Sequence, residues 1–278
     1  AEAAKSMGRT LETAGLKAES RVERALVASL GPDFQAIFVR AQDIPEFVAD
    51  GAAEVGVTGA DLVAESRYRV AELLDLEFGR CRLVVAVKED SAVRDPRQIL
   101  PGTRVATSFP RATEAWFREL GVPIQVAPVS GSAEIAPHLG VADVIVDLVS
   151  TGSTLRVNGL REVGTLLESS ARLVANHEAL AHPGKGPVIS ELVTALESVL
   201  RARAKRYLMA NVPRARLAEV KEVIPGLTGP TIVEIQNGGD WVAAHSVVDV
   251  DRIYQTINRL KALGAEGILV TPIERLMP

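Results

Sequence analysis

Short apolar segments alternate with helix-like segments through the central part of the chain. Segments rich in branched apolar residues predict strands at FQAIFVR, AEVGVTG, CRLVVAVKE, TRVATSF, VPIQVAPVSG and ADVIVDLVSTG. Between them, IPEFVAD predicts a helix that Asp43 can cap and that stops at Gly51, and RATEAWFREL predicts one that ends at Gly121. Another helix is expected near AEIAPHL. This alternation indicates an α/β fold with largely parallel sheets.

The pattern changes near residue 184. The segment PVISELVTALESVLRARAKR has apolar residues at three- and four-residue spacing after Pro187, which predicts a long amphipathic helix. The segments that follow have the order strand, helix, strand, strand, helix, strand, with a turn at Asn237-Gly238-Gly239-Asp240 between the middle strands. This is the order of a ferredoxin-like unit and predicts a separate C-terminal domain.

Composition excludes several classes of function. The chain has 278 residues, 47% of them hydrophobic, which is enough for two or three domains. A net charge of −4 and 4% aromatic residues give no reason to expect nucleic-acid binding. The four histidines lack metal-ligand spacing, and Cys81, the only cysteine, is expected to pack rather than react. Without a long apolar run or a secretory pattern, we expect a soluble cytoplasmic protein that has no membrane segment.

A loop of small residues, Ser150-Thr151-Gly152-Ser153-Thr154, follows the last predicted strand of the central region. Backbone amides at a helix start, together with hydroxyls and a glycine, suit a phosphate group. The same residues are also ordinary turn chemistry, in which serine and threonine cap the helix. Both interpretations stay open, and they also apply to the loop Ser130-Gly131-Ser132, which precedes Glu134.

Two aspartates lie in the predicted strand before the longer loop. Asp143 and Asp147 are four residues apart, so they share one face of the strand. We expect them near the carboxyl end of the sheet, where open α/β folds bind ligands. A carboxylate there can accept hydrogen bonds from sugar hydroxyls. The alternative for each aspartate is a position that faces solvent.

Several segments together resemble one enzyme family. They are ATSFP, SGSAEIAPHLGVADVIVDLVSTGSTLRVNGL, VRAQDIPEFVADG, VGVTGADL and LDLEFGRCRL. These segments resemble ATP phosphoribosyltransferase of the long, regulated form, from about residue 22 to the C-terminus. ADVIVDLVSTGSTL with NGLREV is highly specific, and PTIVEI and LGAEGILVTPIE resemble the regulatory domain of the family.

The resemblance implies a reaction and an architecture. ATP and 5-phosphoribosyl-1-pyrophosphate (PRPP) would give N1-(5-phosphoribosyl)-ATP and pyrophosphate, the first step of histidine biosynthesis, with magnesium held mainly by the substrates. A two-lobed core like that of periplasmic binding proteins would close on a cleft. Lobe I would comprise residues 1–86 and 173–203, lobe II residues 87–172, and a regulatory domain residues 204–278. Histidine would inhibit through the third domain of a homo-oligomer, dimer or hexamer.

The resemblance also implies site residues at matching positions. Asp147 and Glu134 would serve catalysis, and Asp147 would bind PRPP together with Ser150, Thr151, Gly152, Ser153 and Thr154. The ATP site would comprise Arg40, Asp43, Gly59, Asp61 and Arg82, and the histidine site Asn211, Leu227, Thr231 and Val247. Arginines bind phosphates through forked donors. The alternative for Arg40 and Arg82 is an ion pair.

One difference from the family lies at the start of the sequence. Members usually open with a strand and a loop of Lys-Gly-Arg type, whereas AEAAKSMGRTLETAGL resembles the helix that follows that loop. We expect the strand and the loop to precede this sequence. Two other functions remain open: a solute-binding protein with the same fold, and a catalytically silent regulatory homologue. Formation of phosphoribosyl-ATP would distinguish both from an enzyme.

Overall fold

The computed structural model describes residues 2–19, 26–236 and 239–277, so the predicted turn residues Asn237 and Gly238 lie outside the described residues. The chain forms two compact units. The first consists mainly of Ala36–Ser190, and the second mainly of Glu191–Pro278 together with Met7–Glu19 and Ser29–Gln35. The boundaries predicted for the two lobes and the regulatory domain stay a prediction.

The strands are β1 (Ala18–Glu19), β2 (Val27–Leu30), β3 (Phe34–Ile37), β4 (Val55–Gly59), β5 (Ala71–Asp75), β6 (Cys81–Lys88), β7 (Thr103–Thr107), β8 (Ile124–Pro128), β9 (Val144–Val149), β10 (Leu160–Ser169), β11 (Ala171–Ala175), β12 (Lys205–Pro213), β13 (Thr231–Glu234), β14 (Trp241–Asp249) and β15 (Glu266–Pro272). The α-helices are α1 (Glu2–Thr13), α2 (Ile44–Ala49), α3 (Ala60–Glu65), α4 (Pro110–Glu119), α5 (Ser153–Val157), α6 (His177–Ala181), α7 (Lys185–Arg203), α8 (Leu217–Val223) and α9 (Ile253–Ala262). The helix expected near AEIAPHL is reduced to a 3₁₀ turn at Ala133–Ile135.

The larger sheet of the first unit has the strand order β10-β6-β9-β7-β8. Strand β7 pairs in parallel with β8 and β9, whereas β6 pairs antiparallel with β9 and β10. The expectation of largely parallel sheets is therefore wrong, because strands distant in sequence pair here without a helical crossover. Residues Leu83 to Val87 of β6 are buried, and they alternate between two apolar clusters on opposite faces of the sheet. A continuous apolar run is typical of a strand covered on both faces.

The second sheet of the first unit has the order β4-β11-β5, and both of its strand pairs are antiparallel. Helix α2 packs against β4 through Val48, which is 1% exposed. Helix α2 and strand β4 lie so close together that a Cβ at Gly56 would be 2.4 Å from Cγ2 of Ile44. Position 56 therefore requires glycine. The predicted strand FQAIFVR forms β3 in a separate small sheet with β1 and β2.

The chain passes twice between these two sheets of the first unit. One connection spans residues 76–80, and the other is Ser170. Hydrogen bonds of 2.9 Å from Leu76 N–H to the Ala171 carbonyl and from Ala171 N–H to the Phe78 carbonyl hold the connections side by side. Two α/β lobes joined by two adjacent connections match the expected fold of periplasmic-binding-protein type, which is confirmed.

The second unit contains a four-stranded antiparallel sheet with the order β13-β14-β12-β15. Its core includes four fully buried residues from strand β12, from helix α8 and its C-cap, and from helix α9: Leu208, Val220, Ile224 and Leu260. Buried and partly exposed residues alternate along β14, because successive side chains of a strand point to opposite faces. Element order and strand order confirm the predicted ferredoxin-like unit.

Candidate active site

A cleft of about 310 Å³ lies in the first unit, where the two connections approach the loop after β9. The residues that line it are Asp75, Arg80, Cys81, Arg82, Ser150, Glu168, Ser169, Ser170 and Arg172. Three guanidinium groups and three hydroxyls provide a high density of hydrogen-bond donors. Such a donor set suits an anionic ligand, because arginine binds phosphate oxygens through paired N–H groups.

The loop from Ser150 to Thr154 lies at the carboxyl end of β9. Its glycine, Gly152, is buried and has φ of +73°, a left-handed conformation that glycine adopts without steric cost. Gly152 also occupies the N-cap position of α5, so a side-chain cap at that position is impossible. Helix α5 has only five residues, so its dipole is weaker than a longer helix would supply. Phosphate affinity at this loop would depend on amides, hydroxyls and nearby arginines.

The hydroxyl residues of the loop are exposed. Thr151 Oγ1 and Ser153 Oγ are 3.0 Å apart and share a hydrogen bond. Arg156 donates from Nη1 to the Thr151 carbonyl over 3.4 Å, which places its guanidinium beside the loop. The loop thus presents small polar groups to solvent and positive charge close to them.

Arg82 lies at the start of β6 and reaches towards the same loop. It forms a two-point ion pair with Glu162, with Nη1 to Oε2 at 2.8 Å and Nη2 to Oε1 at 3.2 Å. Arg82 therefore adopts the ion-paired alternative and also lines the cleft. The hydrogen bond and charge of Glu162 raise the pKa of the Arg82 guanidinium, so this arginine stays charged.

Asp147 is half-buried within β9, whereas Asp143 is exposed and precedes the strand. The expectation that both lie near the carboxyl end of the sheet is therefore wrong for Asp143. Burial raises the pKa of the Asp147 carboxyl, a hydrogen bond from Leu148 N–H lowers it, and the charge of Glu134 raises it further. Since burial dominates, ionised Asp147 is a partly desolvated charge that a ligand can stabilise. Glu134 lies in the 3₁₀ turn, close enough to influence this carboxyl electrostatically.

Asp61 and Ser169 connect helix α3 to the end of β10. Ser169 Oγ donates to Asp61 Oδ1 over 2.5 Å and accepts from Asp61 N–H over 3.0 Å. A Cβ at Gly59 would lie 2.2 Å from Asp61 Oδ1, so the turn requires glycine there. Burial and the charge of Asp61 raise the pKa of the Cys81 thiol, with a smaller opposing effect of Ser169. Cys81 lines the cleft as a neutral thiol, which is poorly suited to act as a nucleophile.

Arg40 and Asp43 lie in the turn before α2. Arg40 is exposed, and Asp43 occupies the N-cap position of α2 without a side-chain capping bond. The predicted cap of this helix is therefore absent. Thr58 Oγ1 donates to the Ala41 carbonyl over 2.8 Å and fixes the turn beside the end of β4. This contact brings Arg40 and Asp43 to the edge of the sheet that carries Gly59.

Sequence reasoning missed several residues in and beside the two connections. Asp75 accepts hydrogen bonds from Ser170 Oγ at 2.7 Å and Glu77 N–H at 2.8 Å, and pairs with Arg172 Nη1 at 3.0 Å. Burial would raise the pKa of the Asp75 carboxyl, but these hydrogen bonds and the charges of Arg172 and Arg80 outweigh it and lower the pKa. The pair Ser169-Ser170 between two apolar strands was the available signal, because it interrupts an otherwise continuous strand pattern.

Comparison with known proteins connects this site to a family. The family model described as ATP phosphoribosyltransferase matches residues 40–198, which include the cleft and the loop. A second model, HisG, C-terminal domain, matches residues 202–275. The chain belongs to the ATP phosphoribosyltransferase family. It is accordingly an enzyme of the transferase class, of the long form that carries the C-terminal domain.

Individual members of the ATP phosphoribosyltransferase family are similar over nearly the whole chain. The protein from Gemmatimonas aurantiaca is 61% identical over 273 residues, covering 95% of this chain and 92% of the relative. The protein from Methanosarcina acetivorans is 48% identical over 265 residues, or 94% of this chain and 90% of the relative. Each is named ATP phosphoribosyltransferase.

A solved structure shows the same fold. A chain of the ATP phosphoribosyl transferase (HisG:HisZ) complex from Thermotoga maritima aligns with a TM-score of 0.62 and 24% identity. The alignment covers 72% of this chain and 94% of that chain. At this identity the match concerns the fold alone, and it agrees with the two-lobed core described above.

Three of the four residues predicted for histidine binding share the open face of the ferredoxin-like sheet. Asn211 pairs with Ala243, Thr231 with His245, and Val247 with Tyr207. Leu227 is exposed in the loop before β13. The ladder positions of Asn211 and Val247 are four residues apart, roughly 13 Å at the usual rise of a strand.

Metal and membrane features were sought over the described ranges. Across residues 2–19, 26–236 and 239–277, no three His, Cys, Asp or Glu side chains converge in a way that could hold a metal ion. In the same part of the chain, none of the helices has the length and apolar character needed to span a bilayer.

Proposed function

We propose that this enzyme transfers the 5-phosphoribosyl group of PRPP to N1 of ATP and releases pyrophosphate, the first step of histidine biosynthesis. Family membership supports the reaction. The observation that carries it is the cleft, in which Arg80, Arg82 and Arg172 lie near the small-residue loop that begins at Ser150. Both substrates are polyanions, and a donor-rich cleft between two lobes suits them. Both are also intracellular metabolites, which favours a cytoplasmic reaction.

PRPP would bind along the loop from Ser150 to Thr154, with its 5-phosphate on the backbone amides and hydroxyls around Gly152. Asp147 would accept hydrogen bonds from the ribose hydroxyls. The reacting carbon acquires positive charge in an oxocarbenium-like transition state, and a nearby carboxylate stabilises that charge. Burial of Asp147 favours this role. Its carboxylate has lost part of its hydration, so hydrogen bonds from the ribose and the positive charge of the transition state would stabilise it.

ATP would bind on the facing lobe, near Arg40, Asp43, Gly59 and Asp61, whereas Arg82 lies on β6 beside the loop that begins at Ser150 and would serve PRPP. The nucleophile is N1 of adenine, which needs no activated side chain from the protein. Catalysis would then depend on holding two substrates in line and on electrostatic stabilisation. Ser169 fixes the Asp61 carboxylate by a hydrogen bond, so this acceptor is already oriented before ATP binds.

Magnesium fits the oxygen donors present in the first unit. Asp147 and Glu134 are close enough to interact electrostatically, and two carboxylates can complement phosphate and water ligands around a hard cation. When bound, the ion would neutralise the pyrophosphate that leaves. In this arrangement the substrates hold most of the coordination sphere, and Asp147 and Glu134 are the residues that would complete it.

We also infer that histidine inhibits the enzyme through the C-terminal domain, in a homo-oligomer that includes dimers and hexamers. Exposed Asn211 and Thr231 and half-buried Val247 lie on one open sheet face. A site shared between two copies of this face would add groups from the second domain and would couple histidine binding to assembly.

The reaction is tested by mixing the protein with ATP, PRPP and magnesium and following the absorbance of phosphoribosyl-ATP. Product formation that requires both substrates would support the proposal and exclude a solute-binding protein. Tight PRPP binding without product would instead support a catalytically silent homologue. Failure of both binding and turnover in a folded preparation would contradict the proposed function.

A further inference from the structure

We propose that Glu162 is a positioning residue that presents the guanidinium of Arg82 to the phosphoryl groups of PRPP. Glu162 belongs to the NGLREV segment but lies outside every site set predicted from the sequence. The inference deepens the proposed function and rests on it, because PRPP is taken as the ligand of the loop around Gly152.

The Arg82–Glu162 ion pair has the geometry of a positioning contact. Two separate nitrogens of Arg82 meet the two oxygens of Glu162 at 2.8 and 3.2 Å, so the plane of the guanidinium is fixed as well as its location. A guanidinium carries five N–H donors, and this pair uses two of them. The remaining donors can bind a phosphate oxygen while the ion pair persists, so PRPP does not have to displace Glu162.

The same carboxylate also lies close to the loop. Glu162 Oε1 lies 3.1 Å from the point where a Cβ at position 152 would be, and Arg156 Nη1 lies 3.2 Å from that point. Gly152 is therefore enclosed between an acidic and a basic side chain. This arrangement places Arg82 next to the loop, because Glu162 bonds to Arg82 and lies beside Gly152.

Stability alone gives little reason for this pair. The side chains of Arg82 and Glu162 are 37% and 31% exposed, and pairs this accessible contribute little to folding. A carboxylate next to a phosphate site also repels the ligand. Its presence is useful for binding if holding Arg82 in place outweighs that repulsion, since a long side chain without its partner samples many rotamers.

The test uses the full chain with Glu162→Gln, Arg82→Ala and both changes together. PRPP affinity is measured by calorimetric titration without ATP, and KM for each substrate and kcat are measured in the forward reaction. We expect Glu162→Gln to weaken PRPP binding about fivefold or more, and to leave KM for ATP within about twofold. Because Glu162 acts through Arg82, the double variant should bind PRPP no more weakly than Arg82→Ala alone.

Glu219→Gln provides a matched control. Glu219 of α8 forms a comparable two-point pair with Arg216, the residue before the helix, with distances of 2.5 and 2.7 Å. The Glu219→Gln variant should therefore leave PRPP affinity unchanged. Unchanged or tighter PRPP binding in Glu162→Gln would overturn the proposal. So would a double variant whose loss of PRPP affinity equals the product of the two single losses, because Glu162 would then act independently of Arg82. Equal losses for PRPP and ATP with a lower Tm would assign Glu162 a structural role instead.

The two levels of the argument fail in different ways. If the unmodified protein binds PRPP but forms no phosphoribosyl-ATP, the proposed reaction is wrong, and the titrations still decide the role of Glu162. If the unmodified protein neither binds PRPP nor forms phosphoribosyl-ATP, both proposals are wrong.

Discussion

At the scale of single residues, Gly152 determines the shape of the proposed phosphate loop. Its φ of +73° disfavours any L side chain, and a Cβ would approach both Glu162 and Arg156. We expect Gly152→Val to raise KM for PRPP tenfold or more, about 1.4 kcal/mol, while the protein stays folded. Gly121→Val is the control, because Gly121 has the same φ of +73° but no atom within 4 Å of its Cβ position. Equal PRPP dependence of both variants would contradict the assignment of the loop.

Asp147 offers a second test, in which function and stability should change in opposite directions. Burial raises the pKa of this carboxyl in the folded state, so folding favours the protonated form. The resulting penalty is absent below the ordinary pKa of aspartate, grows between that pKa and the raised one, and is fully present above the raised pKa. Asp147→Asn removes it, and the Tm of the variant should therefore exceed that of the unmodified protein at pH 7 but not near pH 3.

The same variant should lose PRPP use. We expect KM for PRPP to rise roughly tenfold or more, because hydrogen bonds to a charged acceptor contribute about 1.5–3 kcal/mol. KM for ATP should change less. Steady-state kinetics with each substrate varied separately measures the difference. Equal effects on both substrates, or no effect, would indicate that Asp147 does not contact the ribose.

At the scale of elements, helix α4 depends on a carboxylate from another helix. Its N-cap residue, Phe109, provides no capping side chain, and Glu65 of α3 accepts from Arg111 N–H at 3.1 Å and Ala112 N–H at 3.0 Å. Glu65→Ala should lower the free energy of unfolding by about 1–2 kcal/mol, because two amide donors lose their partner. Chemical denaturation measures the change, and the exposed Glu114→Ala on α4 is the control. A difference below about 0.5 kcal/mol between the variants would contradict this role.

The position of most elements could be predicted, and so could the pairing in the ferredoxin-like sheet, but the pairing in the larger sheet could not. The apolar run of β6 and the alternation of β14 follow directly from burial on both faces or on one face of a sheet. Strand direction in the larger sheet depends on contacts such as Glu168 with Arg82, which are 86 positions apart and leave no local signal. The loop around Gly152 could be recognised because its small residues are contiguous in the sequence. Arg172 and Ser170 could not, because their partners are distant in the sequence. Their importance comes from the two connections that the fold brings side by side.

At the scale of the whole molecule, the chain combines a two-lobed unit that contains the cleft with a unit that contains a ferredoxin-like sheet. Site residues from sequence positions as distant as 75 and 172 converge in the first unit. The family comparison likewise separates residues 40–198 from residues 202–275. A division between catalysis and regulation is consistent with both observations, and it leads to a prediction about the second unit.

Removal of residues 204–278 should abolish inhibition by histidine, even if the oligomeric state changes. An inhibitor must bind one conformational state better than another, and a shift from mostly active to mostly inactive enzyme needs a differential affinity of a few kcal/mol. Without the domain that binds histidine, this difference disappears. Activity assays over a range of histidine concentrations, for the intact and the shortened chain, measure the effect.

Asn211→Asp tests the same idea in the intact chain. Asn211 is exposed on the open face of the sheet, where a carboxylate would pair with the amino group of histidine. We expect half-maximal inhibition at a histidine concentration several times lower than for the unmodified enzyme, with kcat unchanged when histidine is absent. The alternative role of the domain is oligomer assembly alone. Indifference of the intact enzyme to millimolar histidine, or continued inhibition of the shortened chain, would favour that alternative, because the inhibitor would then have no site in residues 204–278.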